Sequence, residues 1–252
     1  MPTPHFYLPP EHCTGAVLHL DEREAHHALH VLRVKRGEPV VVLDGAGHEF
    51  HCEIAVCSRD TVTLQVKYEN FVPPLPCQIT LLQAVPRGKI IESIIQKAVE
   101  LGARRIVPML TGRVVTQLGE ADRTDKREKW QLVAIEAIKQ CGAAWLPEIE
   151  TPMTPAQFLA RKEIFDLSLV GSLQTDRRPP LECFQEFKAK HGRLPQNVAV
   201  WIGPEGDFTL DELKAIQASG ALPISLGRLV LRVETAAIYC LAILNYELQA
   251  VS

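Results

Sequence analysis

Short apolar runs rich in β-branched residues dominate the first 70 positions of the chain. Such runs, separated by turn residues, predict strands. They are Pro39–Leu43, Phe50–Val56 and Thr61–Val66, with Asp44-Gly45-Ala46-Gly47 as the turn between the first two. One helix is expected ahead of them over Ala25–Leu32, because Asp21 followed by Glu24 resembles a capping box. The pattern predicts a small β-rich domain.

Strand-like and helix-like patterns alternate in the rest of the chain. Lys89–Leu101 places isoleucines on one face and charged residues on the other before Gly102 ends it, which predicts an amphipathic helix. Lys126–Cys141 shows the same spacing. The predicted strands are Gln78–Ala84, Ile106–Met109, Ile164–Val170, Val198–Ile202 and Pro223–Leu226. This alternation indicates an α/β domain with a mainly parallel sheet.

A proline-rich stretch separates the two patterns. Phe71–Pro76 has prolines at three of four consecutive positions, which suits a linker better than a strand interior. We therefore expect one domain over residues 1–72 and a second over residues 73–252.

The last helix is expected to begin near Glu234-Thr235 and is apolar all round, since Ala236–Leu244 is an unbroken apolar run. It is too short to span a bilayer. Two placements remain open: a central helix buried within its domain, or a helix shared with a second subunit.

Composition limits the class of protein. A chain of 252 residues with 46% hydrophobic content can bury a real core. Seven scattered cysteines without a C-x-x-C pair argue against a disulfide framework and a zinc ribbon. No signal peptide or membrane span is evident, so we expect a cytoplasmic protein. The net charge of −3 does not indicate a nucleic-acid partner by itself.

Two glycine-containing corners suggest a ligand site. The predicted strand Val198–Ile202 runs into Gly203-Pro204-Glu205-Gly206-Asp207-Phe208, and Thr209 or Asp211 can cap the next helix. Pro223–Leu226 runs into a loop that starts at Gly227 and carries Arg228 and Arg232. Ligands bind at such strand-to-helix corners in open α/β sheets. Glu205 argues against a phosphate cradle, whereas exposed backbone groups can hold an adenine edge.

Several charged features have two interpretations each. Arg232 and Glu234 form either a ligand contact or an ion pair at a helix start. His26 and His30 have metal-ligand spacing, but no third ligand is signalled, which favours helix packing and no metal. Two groups of basic residues form either local positive patches or ordinary solvated faces. They are Arg33-Val34-Lys35-Arg36 and the spread of Arg104, Arg105, Arg113, Arg123, Lys126 and Arg127.

The two corners carry a family resemblance. Ile202-Gly203-Pro204-Glu205-Gly206-x-Phe208 and Leu226-Gly227-x-x-x-Leu231-Arg232-x-Glu234-Thr235-Ala236 resemble the RsmE family, SPOUT-class enzymes that methylate N3 of a uridine in small-subunit (16S) ribosomal RNA. Other stretches are similar to the family's signatures across nearly the whole chain: Gln83-Ala84-x-Pro86-x-Gly88-Lys89, Ile95–Gly102, Glu136–Gly142, Leu146–Ile149, and, in the first domain, His27-x-x-x-Val31-Leu32-Arg33 and Asp44-Gly45-x-Gly47.

The resemblance implies a small N-terminal PUA-like β-barrel that binds RNA, and a C-terminal SPOUT α/β domain with a trefoil knot. It also implies a homodimer that binds S-adenosylmethionine in the knot. The implied cofactor residues are Val170, Gly171, Ile202, Gly203, Glu205, Gly206, Ser225, Leu226, Gly227, Leu231, Arg232, Val233, Thr235 and Ala236.

Transfer of a methyl group to uridine N3 requires loss of the N3 proton. We expect Arg232 or Arg113 to stabilise charge on the uracil oxygens, and Glu205 or Glu234 to orient the arginine or act as base. The expected RNA-binding residues are Arg33, Lys35, Arg36, Arg87, Lys89 and Arg228.

The chain departs from the family pattern at four positions: Asp207, where glycine is usual, Ala143, Lys139 and His5. The rival functions are a SPOUT enzyme that methylates a tRNA ribose 2′-hydroxyl, and a non-catalytic RNA-binding or ribosome-assembly protein.

Overall fold

The computed structural model describes residues 3–113, 119–173 and 176–249. The chain divides into two compact units. The first unit contains Met1–Pro74 and Ile135–Leu146, and the second contains Leu75–Ala134 and Pro147–Ser252. The first continuous segment thus ends within the proline-rich stretch, and a later segment joins the same unit.

The described part of the first unit has five strands: β1 (His5–Tyr7), β2 (Val17–His19), β3 (Pro39–Leu43), β4 (His48–Cys57) and β5 (Val62–Phe71). They form one sheet in the order β1-β3-β4-β5-β2, in which β1 pairs with β3 in parallel and the other pairs are antiparallel. All five strands send buried side chains into one apolar cluster, among them Phe6, Leu18, Val42, Ile54 and Leu64. A sheet with this one-sided core curls around it, as expected for the small β-domain.

The helix of the first unit changes type along its length. Helix α1 (Glu22–His26) begins as expected, because the Asp21 side chain accepts a hydrogen bond from the Glu24 backbone N–H at 2.7 Å. The predicted stretch Ala25–Leu32 is helical throughout, but His27–Leu32 is a π-helical segment instead of an α-helix. Arg33 ends this segment in the left-handed conformation, at φ 56°.

A buried ion pair explains one departure from the family pattern. The Lys139 ammonium donates to Glu24 Oε1 at 2.7 Å, and the two side chains are only 5% and 3% exposed. Lys139 also donates to Glu136, which in turn binds Arg23. Burial raises the pKa of Glu24, and the hydrogen bond from Lys139 opposes that rise. Lys139 is therefore an internal partner of α1 and not a solvent-facing cation.

The second unit contains a parallel sheet. Its described strands are β6 (Gln78–Ala84), β7 (Ala103–Met109), β8 (Glu148–Ile149), β9 (Leu167–Gly171), β10 (Asn197–Ile202) and β11 (Leu222–Ile224). They follow the order β11-β9-β10-β6-β7-β8, and every pair is parallel. The central strands β6 and β10 are almost entirely buried, which is why they read as unbroken apolar runs. The expected α/β class is confirmed.

Helices connect these strands: α2 (Ile90–Glu100), α3 (Glu120–Cys141), α4 (Pro155–Leu159), α5 (Pro180–His191), α6 (Leu210–Ala218) and α7 (Val233–Leu248). The predicted start of α3 at Lys126 is six residues late, because its polar first turns carry no apolar stripe. Ile164 is 88% exposed and lies outside β9. Ser225 and Leu226 lie outside β11, since the Ser225 hydroxyl donates to the Gly227 carbonyl in a turn.

Helix α7 is buried on one face and exposed on the other. Its inner face packs on α2 and β10, and Ala237, Cys240, Leu241 and Leu244 are buried. Its other side carries Tyr239, 47% exposed, and Tyr246, 76% exposed. In the part of the chain that the structure describes, no helix is long and apolar enough to cross a membrane.

Asp166, just before β9, should make stability depend on acid pH. Arg193 donates two hydrogen bonds to its carboxylate at 2.8 and 2.9 Å, and these lower the pKa of Asp166 to about 2. A depressed carboxyl pKa stabilises the fold above about pH 4, and that stabilisation is lost as pH falls toward 2. Asp166→Asn should therefore lower the melting temperature at pH 7.

The difference in melting temperature from the unmodified protein should shrink between pH 4 and pH 2. Thermal unfolding followed by tryptophan fluorescence measures it, with Asp60→Asn in the exposed turn between β4 and β5 as the control. A difference that stays constant over this pH range would contradict the assignment.

Candidate functional site

The candidate site lies at the carboxyl edge of the parallel sheet. Strands β9, β10 and β11 end at Gly171, Ile202 and Ile224. Hydrogen-bonded registers pair Ile224 with Gly171 and Trp201 with Val170, so the three strands end side by side. The loops that follow them surround one cavity of about 400 Å³. This volume is in the range of sites that hold small organic ligands.

Ten of the fourteen residues expected to bind a cofactor line this cavity. They are Gly171, Ile202, Gly203, Glu205, Leu226, Gly227, Leu231, Arg232, Val233 and Ala236. The remaining four, Val170, Gly206, Ser225 and Thr235, are neighbours of lining residues along the chain but do not line the cavity themselves. The two corners thus form a single site, although they are separated by the whole of α6 and β11 in the chain.

Sequence patterns missed part of the cavity wall. Ser172, Leu173 and Arg177 follow β9 and also line it, as does Ile90 at the start of α2. Arg177 donates a hydrogen bond to the Ser172 carbonyl oxygen at 3.1 Å. The useful signal was the position of these residues after a parallel strand, because loops at that edge converge on the site.

The loop after β10 is tightly constrained. A Cβ added at Gly203 would lie 3.2 Å from the Phe208 backbone nitrogen, so only glycine fits without movement. Phe208 is 3% exposed and packs edge-on against Trp201. Thr209 and Glu212 then form the capping box of α6. The core and the helix cap together hold the loop in place.

Asp207 has a backbone conformation that glycine adopts freely. Its φ is 65°, in the left-handed region that glycine adopts freely and aspartate tolerates. The Asp207 carboxylate accepts a hydrogen bond from the Phe208 N–H at 2.8 Å, which offsets part of the conformational cost. Asp207 can therefore occupy a position where the family pattern has glycine.

The expected catalytic residues have different environments. Arg232, Glu205 and Glu234 all line the cavity, and Arg232 is the N-cap residue of α7 without a side-chain capping bond. The Arg113 guanidinium donates instead to the carbonyl oxygen of Gly206. Glu205 Oε1 accepts the backbone N–H of Arg87 at 3.3 Å. The cavity thus combines apolar walls with a few charged groups.

The loop between β11 and α7 covers the other side of the cavity. Gly227 has φ 113°, a conformation that side-chain-bearing residues rarely adopt. The apolar side chains of Leu229 and Val230 are 81% and 77% exposed, although both residues line the cavity. Exposed apolar residues of this size mark contact surfaces when they cluster.

The residues expected to bind RNA are all exposed. Arg33, Lys35 and Arg36 follow the π-helical segment of the first unit, and Arg87, Lys89 and Arg228 lie on loops of the second unit. The rings of His26 and His30 lie 4.6 Å apart. Across residues 3–113, 119–173 and 176–249, no cluster of three or more histidine, cysteine or acidic residues could hold a metal ion.

Family comparisons match both units. Residues 73–245 match a family described as an RNA methyltransferase domain, and residues 20–67 match one described as an RNA methyltransferase PUA domain. A Synechocystis protein named ribosomal RNA small subunit methyltransferase E is 32% identical over 96% of this chain and 77% of its own length. The Bacillus subtilis protein of that name is 30% identical over 89% of this chain and 88% of its own.

Solved structures show the same fold. A putative methyltransferase from Legionella pneumophila, solved with bound SAM, superposes with a TM-score of 0.87 at 31% identity over 98% of both chains. The Neisseria gonorrhoeae ribosomal RNA small subunit methyltransferase E has a TM-score of 0.83 at 24% identity over 97% of both chains, which shows the fold alone. The RsmE resemblance is therefore confirmed, and the chain belongs to the RNA methyltransferase family of the ribosomal RNA small subunit methyltransferase E proteins.

Proposed function

We propose that the protein uses S-adenosylmethionine to methylate N3 of a specific uridine in 16S ribosomal RNA. The observation that carries the proposal is the single cavity formed by the loops after β10 and β11. Family membership, the names of the relatives and the bound SAM of the Legionella protein support it. The trefoil knot and the cytoplasmic location remain predictions that accompany it.

The cavity fits a nucleoside that carries no phosphate. Its walls include Ile202, Leu226, Leu231 and Val233, which can enclose an adenosine. Glu205 would repel a polyphosphate but favours a ligand with positive charge. When bound, S-adenosylmethionine supplies an electrophilic methyl group on a positively charged sulfur. The backbone of Gly203 and Gly227 can approach such a ligand closely because neither residue has a side chain.

Arg232 is the residue best placed to stabilise the uracil anion. It lines the cavity together with Glu205 and Glu234, and one donor of the alternative, Arg113, is occupied by the Gly206 carbonyl. A guanidinium beside the uracil oxygens lowers the free energy of the deprotonated base. We assign Glu205 or Glu234 to orient Arg232 or to accept the proton, and Arg113 to position the Gly206 loop.

The proposal includes a homodimer built on the second unit. Tyr239 and Tyr246 on α7 expose large aromatic surface, and Leu229 and Val230 are more than three quarters exposed. Apolar surface of this kind is stabilised when a second copy covers it. These residues lie on α7 and on the loop that begins it, which makes this part of the chain the proposed contact.

Nucleoside mass spectrometry tests the proposed reaction. Ribosomal RNA from cells that lack this chain should contain less 3-methyluridine, and complementation should restore it. Loss of a 2′-O-methylated nucleoside instead would contradict the base assignment. An unchanged nucleoside profile, together with no saturable binding of S-adenosylmethionine in calorimetry, would support a non-catalytic RNA-binding protein.

Arg232→Ala should lower kcat far more than cofactor affinity. Loss of one preorganised donor to a developing anion lowers kcat on the order of 10²-fold. Methylation assays give kcat, and calorimetry gives the Kd of S-adenosylmethionine. Arg59→Ala, in the exposed turn between β4 and β5, is the matched control. Equal turnover in the Arg232 variant would rule out its assigned role.

Arg33, Lys35 and Arg36 are cations of the first unit, and neutralising all three together should lower the affinity for RNA. All three are exposed and suited to phosphate contacts. The slope of log K against log salt concentration is negative, and its magnitude should decrease by about 2 for a single-stranded RNA site. Binding is measured between low and physiological salt, with the exposed Lys214→Gln as control. An unchanged slope would show that these residues do not contact phosphates.

A further inference from the structure

A second recess of the second unit is strongly basic. It has a volume of about 700 Å³ and lies between the loop before α2 and the first half of α3. Its cations are Arg87, Lys89, Lys126 and Lys129, and Trp130 lies beneath them. We call these four cations and Trp130 the basic groove. From the sequence, Arg87 and Lys89 are predicted to bind RNA and Lys126 is one of the basic candidates, whereas Lys129 is not singled out.

The basic groove carries an excess of positive charge. Glu92 is the acidic residue among the described residues that line it, and its carboxylate binds the Lys129 ammonium at 2.7 Å. Within residues 3–113, 119–173 and 176–249, no ion pair neutralises Arg87, Lys89 or Lys126. Three cations thus line one concave surface without an acidic partner among the described residues. An anionic ligand would reduce their mutual repulsion.

The floor of the groove indicates which part of a nucleic acid it binds. Trp130 is only 3% exposed, and the Lys126 ammonium lies 5.9 Å from the centre of its ring. A base cannot stack on a ring that is buried and covered by a cation. Phosphate groups need only the exposed ammonium and guanidinium groups. The groove is therefore built for a backbone contact, which carries no sequence information by itself.

Residues of the groove are chain neighbours and hydrogen-bond partners of residues that line the candidate site. Lys89 lines the groove, and the next residue, Ile90, lines the cavity formed by the two loops. The backbone N–H of Arg87 donates to Glu205, which also lines that cavity. The alternative is that these lysines are an ordinary solvent-exposed surface. Such a surface requires neither a concave shape nor a connection to the candidate site. A phosphate chain in the groove would lie directly beside the cavity.

We propose that the basic groove binds the phosphate backbone of the RNA next to the nucleotide being methylated. This inference rests on the proposed function and adds Lys126 and Lys129 as positioning residues. Their phosphate contacts would hold the strand while the target base enters the cavity. The contribution to affinity is electrostatic, so it should depend on salt and be the same for different base sequences.

The double variant Lys126→Gln/Lys129→Gln tests the proposal. Loss of two phosphate contacts should weaken RNA binding on the order of tenfold near physiological salt and reduce the salt slope by about 1. The KM for RNA should rise by a similar factor, whereas kcat at saturating RNA and the Kd of S-adenosylmethionine should not change. Lys188→Gln, on the exposed face of α5, is the matched control.

Glu92→Gln provides a change in the opposite direction. It removes the carboxylate that binds Lys129, which frees the Lys129 ammonium. RNA affinity should therefore increase a few-fold, and the salt slope should become steeper. Poly(U) and poly(C) serve as two RNA probes with different bases. The affinity of the double variant should fall by the same factor for both. An unchanged salt slope overturns the proposal, and a loss confined to one polymer shows that the groove reads bases instead.

These outcomes separate the groove from the reaction. RNA binding is measured with S-adenosylhomocysteine present, so that no methyl transfer occurs. If the unmodified protein does not methylate RNA but the double variant still loses part of the salt slope, the proposed function fails and phosphate binding by the groove stands. If it methylates RNA and the double variant retains the full salt slope, the groove assignment alone fails.

Discussion

Parallel strand pairing is the constraint on which the candidate site depends. Every strand pair in the second unit is parallel, so all strand ends with the same polarity lie at one edge. The registers of β9, β10 and β11 bring Gly171, Ile202 and Ile224 to neighbouring positions at that edge. Two loops far apart in the chain must therefore meet there. The cavity of about 400 Å³ follows from hydrogen bonding in the sheet.

The loops keep their form through different physical means. The loop after β10 is tied to the core by Phe208 and to α6 by the Thr209 cap, and Gly203 has no room for a side chain. Asp207 replaces a glycine there because its carboxylate compensates a left-handed backbone locally. The loop after β11 has no comparable anchor at Leu229 or Val230, which are exposed. One side of the cavity is thus preorganised, and the other presents apolar surface.

The sequence predicts elements whose burial pattern is regular. Strands β3, β6 and β10 and helix α2 follow from apolar runs or a 3.6-residue period. Short edge strands such as β8 give too few residues for a pattern, and the π-helical segment after α1 has no sequence signature. The family resemblance carried by the two corners predicts most of the residues that line the cavity. Arg177 and Ile90 were missed because only the folded sheet brings them there.

Ion pairs cancel the charge of several cations in the second unit. Among the arginines and lysines of the second unit, Arg105 is neutralised by Glu150 at 3.2 Å and Arg193 by Asp166 at 2.8 Å. Lys126 has no such partner among the described residues and lies in a concave surface. A chain of net charge −3 can therefore present a locally positive groove, because its acidic residues are committed elsewhere. The fold determines which charges form ion pairs, so the local charge of a surface cannot be read from the composition of the chain.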